Sequence, residues 1–95
     1  MSTVVKDMGL TPEYFFRGLE IAFRGLDYRV DGQTVTAGTE ERGVTVVIRP
    51  LPPRRLSGLL SMARCEVTIT FRGYEAKEQE AFLEVFDRAY RRGGG

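Results

Sequence analysis

Apolar and polar residues alternate most strictly over Arg64–Arg72. Cys65, Val67, Ile69 and Phe71 fall on one face, and Arg64, Glu66, Thr68, Thr70 and Arg72 fall on the other. A period of two with one apolar face predicts a strand buried on one side and wet on the other. Three shorter segments alternate in the same way. Leu26, Tyr28 and Val30 oppose Asp27, Arg29 and Asp31; Val35 and Ala37 oppose Thr34 and Thr36; Val44, Val46 and Ile48 oppose Thr45, Val47 and Arg49. Asp31-Gly32 is a strong hairpin signal between the first two, and the polar stretch Gly38–Gly43 turns the second into the third. The four segments read as an antiparallel meander.

Helical spacing flanks them on both sides. Thr11-Pro12-Glu13 supplies an N-cap, a proline at the first helical position and an acid in the first turn. The spacing predicts a helix to about Arg24, with Gly25 as a left-handed C-cap. Phe15, Leu19, Ala22 and Phe23 share its apolar side, and Tyr14, Gly18 and Ile21 form a flanking strip. A glycine inside a helix costs about 1 kcal/mol relative to alanine, so Gly18 points to close approach of a neighbouring element. A last helix is expected over about Glu75–Arg92, with Phe82, Val85, Phe86, Ala89 and Tyr90 on its apolar face. Its acids lie early and its arginines late, which complements the helix dipole.

Two apolar helix faces and one apolar sheet face predict an α+β two-layer sandwich, α-β-β-β-β-α: a four-stranded antiparallel meander with N- and C-terminal helices packed on one face. In layout alone this order resembles frataxin-like proteins, but the first helix lacks the dense acidic ridge with which those proteins hold iron. The 95 residues are read as a single domain, 1–95, with a loosely ordered N-terminal arm at 1–10 and a flexible glycine tail at 93–95.

Composition narrows the function classes. Fourteen Lys and Arg against thirteen Asp and Glu give no global basic excess, so nucleic acid is not expected as a partner. The chain contains no histidine and a single cysteine, Cys65. Histidine-based catalysis, most zinc sites and an internal disulfide are thereby removed, and no cofactor or metal is expected. The first ten residues carry no apolar leader segment and no run of about 18 apolar residues occurs, so a cytoplasmic protein without membrane contact is expected.

The least ordinary stretch is Pro50–Met62, which carries Pro52, Pro53, Arg54, Arg55, Leu56, Leu59 and Leu60. It reads as a long loop, too apolar to be merely solvated, that either folds over the core or meets a partner. The expected role is therefore that of a small non-enzymatic accessory protein, acting through protein–protein contact or self-association at those seven residues. The alternative is an anion- or small-ligand-binding module in which Arg49, Arg54, Arg55 and Arg64 converge at one end of the sheet. Cys65 lies on the apolar face and is expected to be an inert core thiol.

Overall fold

In the computed structural model, which describes residues 2–55 and 57–91, five antiparallel strands form one sheet in the order β1-β5-β4-β3-β2. In chain order the elements are β1 (Ser2–Met8), α1 (Pro12–Arg17), α2 (Leu19–Ala22), β2 (Tyr28–Asp31), β3 (Thr34–Gly38), β4 (Gly43–Arg55), β5 (Ser61–Arg72) and α3 (Ala76–Arg91). The expected meander is present as β2 to β5, each strand pairing with the next. The four-stranded count is corrected by β1, which occupies the segment expected as a loose arm. It pairs antiparallel with β5 from Ser2 opposite Phe71 to Met8 opposite Cys65. The chain therefore runs β-α-α-β-β-β-β-α: the expected helix–meander–helix order is kept, with β1 added ahead of it. The glycines at 93–95 lie outside the described residues.

The core forms where the alternation places it in β3, β4 and β5. It does not form so in the first alternating segment, where Leu26 and Val30 are exposed and Tyr28 is only partly buried. Val35, Ala37, Val44, Val46, Ile48, Cys65, Val67, Ile69 and Phe71 are buried on the inner sheet face, beneath Phe15, Leu19, Ala22, Phe23, Phe82, Phe86, Ala89 and Tyr90 from the helices. Val85, expected on the same helix face, lies at its margin and is 44% exposed. Aromatic rings tie the layers together. Phe15 stacks on Tyr90 with centroids 5.1 Å apart, and Phe82 meets both Phe23 and Phe71 edge-on at 5.5 Å. Such pairs add about 0.5–1.5 kcal/mol beyond the area they bury.

The first helix begins as its residues dictate. Thr11 is the N-cap, its hydroxyl accepting from the Tyr14 N–H at 3.1 Å, and Pro12 follows it. The helix does not run unbroken to Arg24: Gly18 divides it into α1 and α2, with φ −88° and ψ 0°. The reason is packing. A Cβ at Gly18 would lie 2.6 Å from Cε1 of Tyr90, whose hydroxyl donates to the Phe15 carbonyl at 2.7 Å. Gly18 is thus the point where the helical layer closes on α3. Burial pushes the Tyr90 phenol above its ordinary range, so the hydroxyl stays protonated and remains a donor.

At the hairpin between β2 and β3, Gly32 takes the left-handed conformation (φ 62°) that the Asp-Gly signal anticipates. At the opposite end of the sheet, Arg42 fastens the turn between β3 and β4 to the start of α3. Its guanidinium meets Glu78 at 2.6 Å, donates to the Gly73 carbonyl at 3.1 Å and lies 4.4 Å over the Tyr74 ring. The hydrogen bonds from Arg42 hold the Glu78 carboxyl below its usual range.

Candidate functional site

Beyond its covered part, the sheet narrows to two strands. β3 stops pairing with β4 at Thr34 opposite Val47, and β1 stops at Met8 opposite Cys65. Past Pro50–Cys65 the β4–β5 ladder continues alone through Leu51–Arg64, Arg54–Met62 and Arg55–Ser61. The stretch expected as a loop is therefore the arm of a hairpin. Its length is consistent with the shape of the molecule, 48 × 24 × 22 Å along its principal axes. A strand of thirteen residues, such as β4, spans about 43 Å at roughly 3.3 Å per residue.

Prolines fit here because β4 has lost its β3 neighbour, so its outer edge requires no N–H donors. Between Leu51 and Arg54 the register shifts, and Pro52 and Pro53 together oppose the single residue Ala63. That is the two-against-one count of a β-bulge, which turns the strand and increases its twist. The Ser57 N–H donates to the Leu60 carbonyl at 3.2 Å and closes the tip. Leu59 is 99% exposed and Leu60 63%, and Met62 also reaches solvent. Pro52, Pro53, Arg54 and Arg55 are exposed along the arm. Leu56, the remaining residue of this expected surface, lies outside the described residues.

The four arginines of the anion-binding reading do not converge. Arg49 is bound to Glu66 at 3.0 Å and Arg64 to Asp7 at 2.5 Å, both on the outer sheet face at the base of the ribbon. The hydrogen bond from Arg64 is the main cause that lowers the Asp7 carboxyl below its ordinary value. Arg54 and Arg55 lie farther out and form no ion pair among the described residues. Two cations are thus neutralised at the base and two are left along the arm.

A charge asymmetry accompanies this arrangement, and the net count conceals it. From residue 42 to residue 65 the chain has Arg42, Arg49, Arg54, Arg55 and Arg64 and no acid at all. Those five arginines leave nine Lys and Arg in the rest of the chain, against all thirteen Asp and Glu. A sliding count of charge along the sequence finds the asymmetry; a whole-chain sum does not.

Elsewhere the chemistry is quiet. Cys65 is buried, its thiol donates to the Leu10 carbonyl at 3.1 Å, and burial raises its pKa, all of which disfavour the reactive thiolate. Among the described residues no three His, Cys, Asp or Glu side chains gather as metal ligands, and no helix is long and apolar enough to cross a membrane. The outer sheet face carries Thr3, Thr34, Thr36, Thr45, Thr68 and Thr70 with Val5 and Val47, and no aromatic ring. No protein-family model, no curated protein and no solved structure matches the chain.

Proposed function

We propose that the protein is a non-enzymatic binding module whose β4–β5 ribbon docks on another protein. The observation that carries this reading is the pairing of an almost fully solvated Leu59 and an exposed Leu60 with a two-stranded arm that holds them away from the core. Burying a leucine side chain gains about 1.5–3 kcal/mol, so two such side chains in one pocket form an anchor of the size that dominates protein interfaces. The backbone pairing and the Pro52-Pro53 bulge fix the arm before it binds, which reduces the ordering entropy lost on association. Arg54 and Arg55 stand beside the anchor as a polar rim, suited to steering an acidic partner.

A nucleic-acid partner is less well served by the same surface. Two of the four nearby arginines are already paired with carboxylates, and neither the outer face nor the described ribbon offers an aromatic ring for a base to stack on. An anion site is likewise less well supported, because Arg49 and Arg64 are each paired with a carboxylate while Arg54 and Arg55 lie farther out along the arm.

The test is a photoreactive phenylalanine analogue at Leu59, irradiated in the native cell. A discrete protein adduct is expected, and Arg54→Glu/Arg55→Glu should reduce it at least tenfold while leaving the fold intact. Adducts to nucleic acid alone, or a protein adduct indifferent to both charge reversals, would overturn the assignment.

A further inference from the structure

Among the described residues strand β1 lies at the border of the sheet with β5 as its one strand neighbour, so its other edge presents a row of backbone donors and acceptors with no strand partner there. The edge at the opposite border, β2, is only four residues long and carries Arg29 and Asp31, features that discourage further pairing. β1 is seven residues long, extended throughout, and presents Val5 at its centre 60% exposed. Its inward charge, Lys6, is already engaged by Asp87 of α3 at 3.1 Å and needs no partner from outside.

The strand is also compatible with itself. Opposed residues in an antiparallel pair share a sheet face, so a two-fold axis must pass between one residue of the strand and its own copy. Centred on Lys6, the pairing would set two ammonium groups against each other. Centred on Val4, it would leave Asp7 and Met8 unpaired. Centred on Val5, it engages all seven residues: Val5 meets Val5, Thr3 meets Asp7, Val4 meets Lys6 and Ser2 meets Met8, with no like charges opposed.

The layers on both sides continue across such a seam. On the outer face the row Thr34–Val47–Thr68–Val5 runs on into Val5 of the second copy. On the inner face α3 follows β1 in parallel, with Gln79 donating to the Ser2 hydroxyl at 3.2 Å and Asp87 on Lys6. The two-fold axis sets two copies of α3 antiparallel. The half of each that carries Glu80 and Glu84 then lies toward the half of the other that carries Arg88, an arrangement favourable for side-chain charge and helix dipoles alike.

We propose that β1 pairs antiparallel with β1 of a second copy, centred on Val5, so that two five-stranded sheets join into one continuous sheet. This is independent of the ribbon, which lies at the far end of β4 and β5 and stays free for its own partner.

A register-specific cross-link tests it on the whole chain. Directly opposed residues have Cβ atoms about 4.5–5.5 Å apart, close to the roughly 3.5–4.5 Å of a disulfide, so cysteines bridge in the correct register. With diamide as oxidant, Val5→Cys should give a covalent dimer and Thr3→Cys alone none. Thr3→Cys mixed with Asp7→Cys should give the heterodimer. Light scattering should find a dimer for the wild type and for Leu59→Ser/Leu60→Ser, and a folded monomer for Val5→Lys. The proposal is overturned by a wild type that stays monomeric at all concentrations, by equal cross-linking through Thr3→Cys and Val5→Cys, or by a dimer that the ribbon variant abolishes and Val5→Lys does not.

Discussion

Replacing Phe15 by alanine is expected to lower Tm by about 12–40 °C, since about 4–8 °C is lost per kcal/mol in a domain of this size. The ring is fully buried, stacks on Tyr90 at 5.1 Å, meets Phe16 edge-on at 5.5 Å and lies 6.1 Å from Phe86. Truncating a phenylalanine in such a site costs roughly 3–5 kcal/mol, as lost transfer energy and an unfilled cavity. A domain of this length has only about 5–14 kcal/mol in total, at 0.05–0.15 kcal/mol per residue. The variant should therefore sit near the edge of folding at physiological temperature. Thermal melting followed by circular dichroism reads the effect; a fall of less than 5 °C would mean that the aromatic cluster does not hold α1 to α3.

The second large effect has a sign opposite to the one helix propensity suggests. Gly→Ala in a helix ordinarily gains about 1 kcal/mol. At Gly18 the new methyl would meet the Tyr90 ring at 2.6 Å, and that ring cannot readily retreat. Its hydroxyl is bonded to the Phe15 carbonyl at 2.7 Å, and its faces and edges are held by Phe15 and Phe86. Over-packing of this kind costs roughly 1–3 kcal/mol, enough to outweigh the propensity gain. Gly18→Ala should thus destabilise the protein, and in a Tyr90→Leu background the same substitution should become neutral or favourable. Denaturant melts of the four proteins in that cycle measure the coupling. Additive effects, or a more stable single variant, would remove the close contact as the reason for the glycine.

Much of this architecture could be read from local patterns. The strict alternation of Cys65–Phe71 places those side chains inward, and all four even-spaced apolar positions are buried. Thr11-Pro12 marks the start of α1 because capping is decided within one turn of chain. β1 was hidden for the converse reason. Its inward positions are Ser2, Val4, Lys6 and Met8, only two of them apolar, and its pairing partner β5 lies some sixty residues away. An edge strand supported by one neighbour and two salt bridges need not carry a strong apolar period. Gly18 stood out as a glycine inside a helical pattern, but the break there was not legible, and the close contact depends on Tyr90, a residue from the other end of the chain.

The ribbon illustrates a different limit. Pro50, Pro52 and Pro53 read as strand breakers, and inside a sheet they would be. They are tolerated in β4 because β3 has ended at Thr34–Val47 and a bulge absorbs the register shift, facts fixed by tertiary topology rather than by the segment itself. Of the seven residues expected at the interaction surface, Pro52, Pro53, Arg54, Arg55, Leu59 and Leu60 lie along this single arm. Of the anion cluster, Arg49 and Arg64 lie instead at its base, engaged by Glu66 and Asp7. That the stretch is too apolar to be merely solvated could be read from its leucines; the exposure of Leu59 and Leu60 and the salt bridges that separate the arginines required the sheet.

On the proposed reading the arm serves partner contact and the fold stands without it. Excision tests it most directly: residues 51–64 replaced by Asn-Gly, a two-residue hairpin turn between Pro50 and Cys65, with thermal melting and the partner adduct measured on the shortened chain. The photoreactive group would then sit at Pro50 in both the shortened and the full-length protein. A cooperative melt within a few degrees of the parent is expected, since the excised side chains lie outside the buried cluster, together with loss of the adduct. A chain that no longer folds, or one that folds and still captures the same protein, would contradict it.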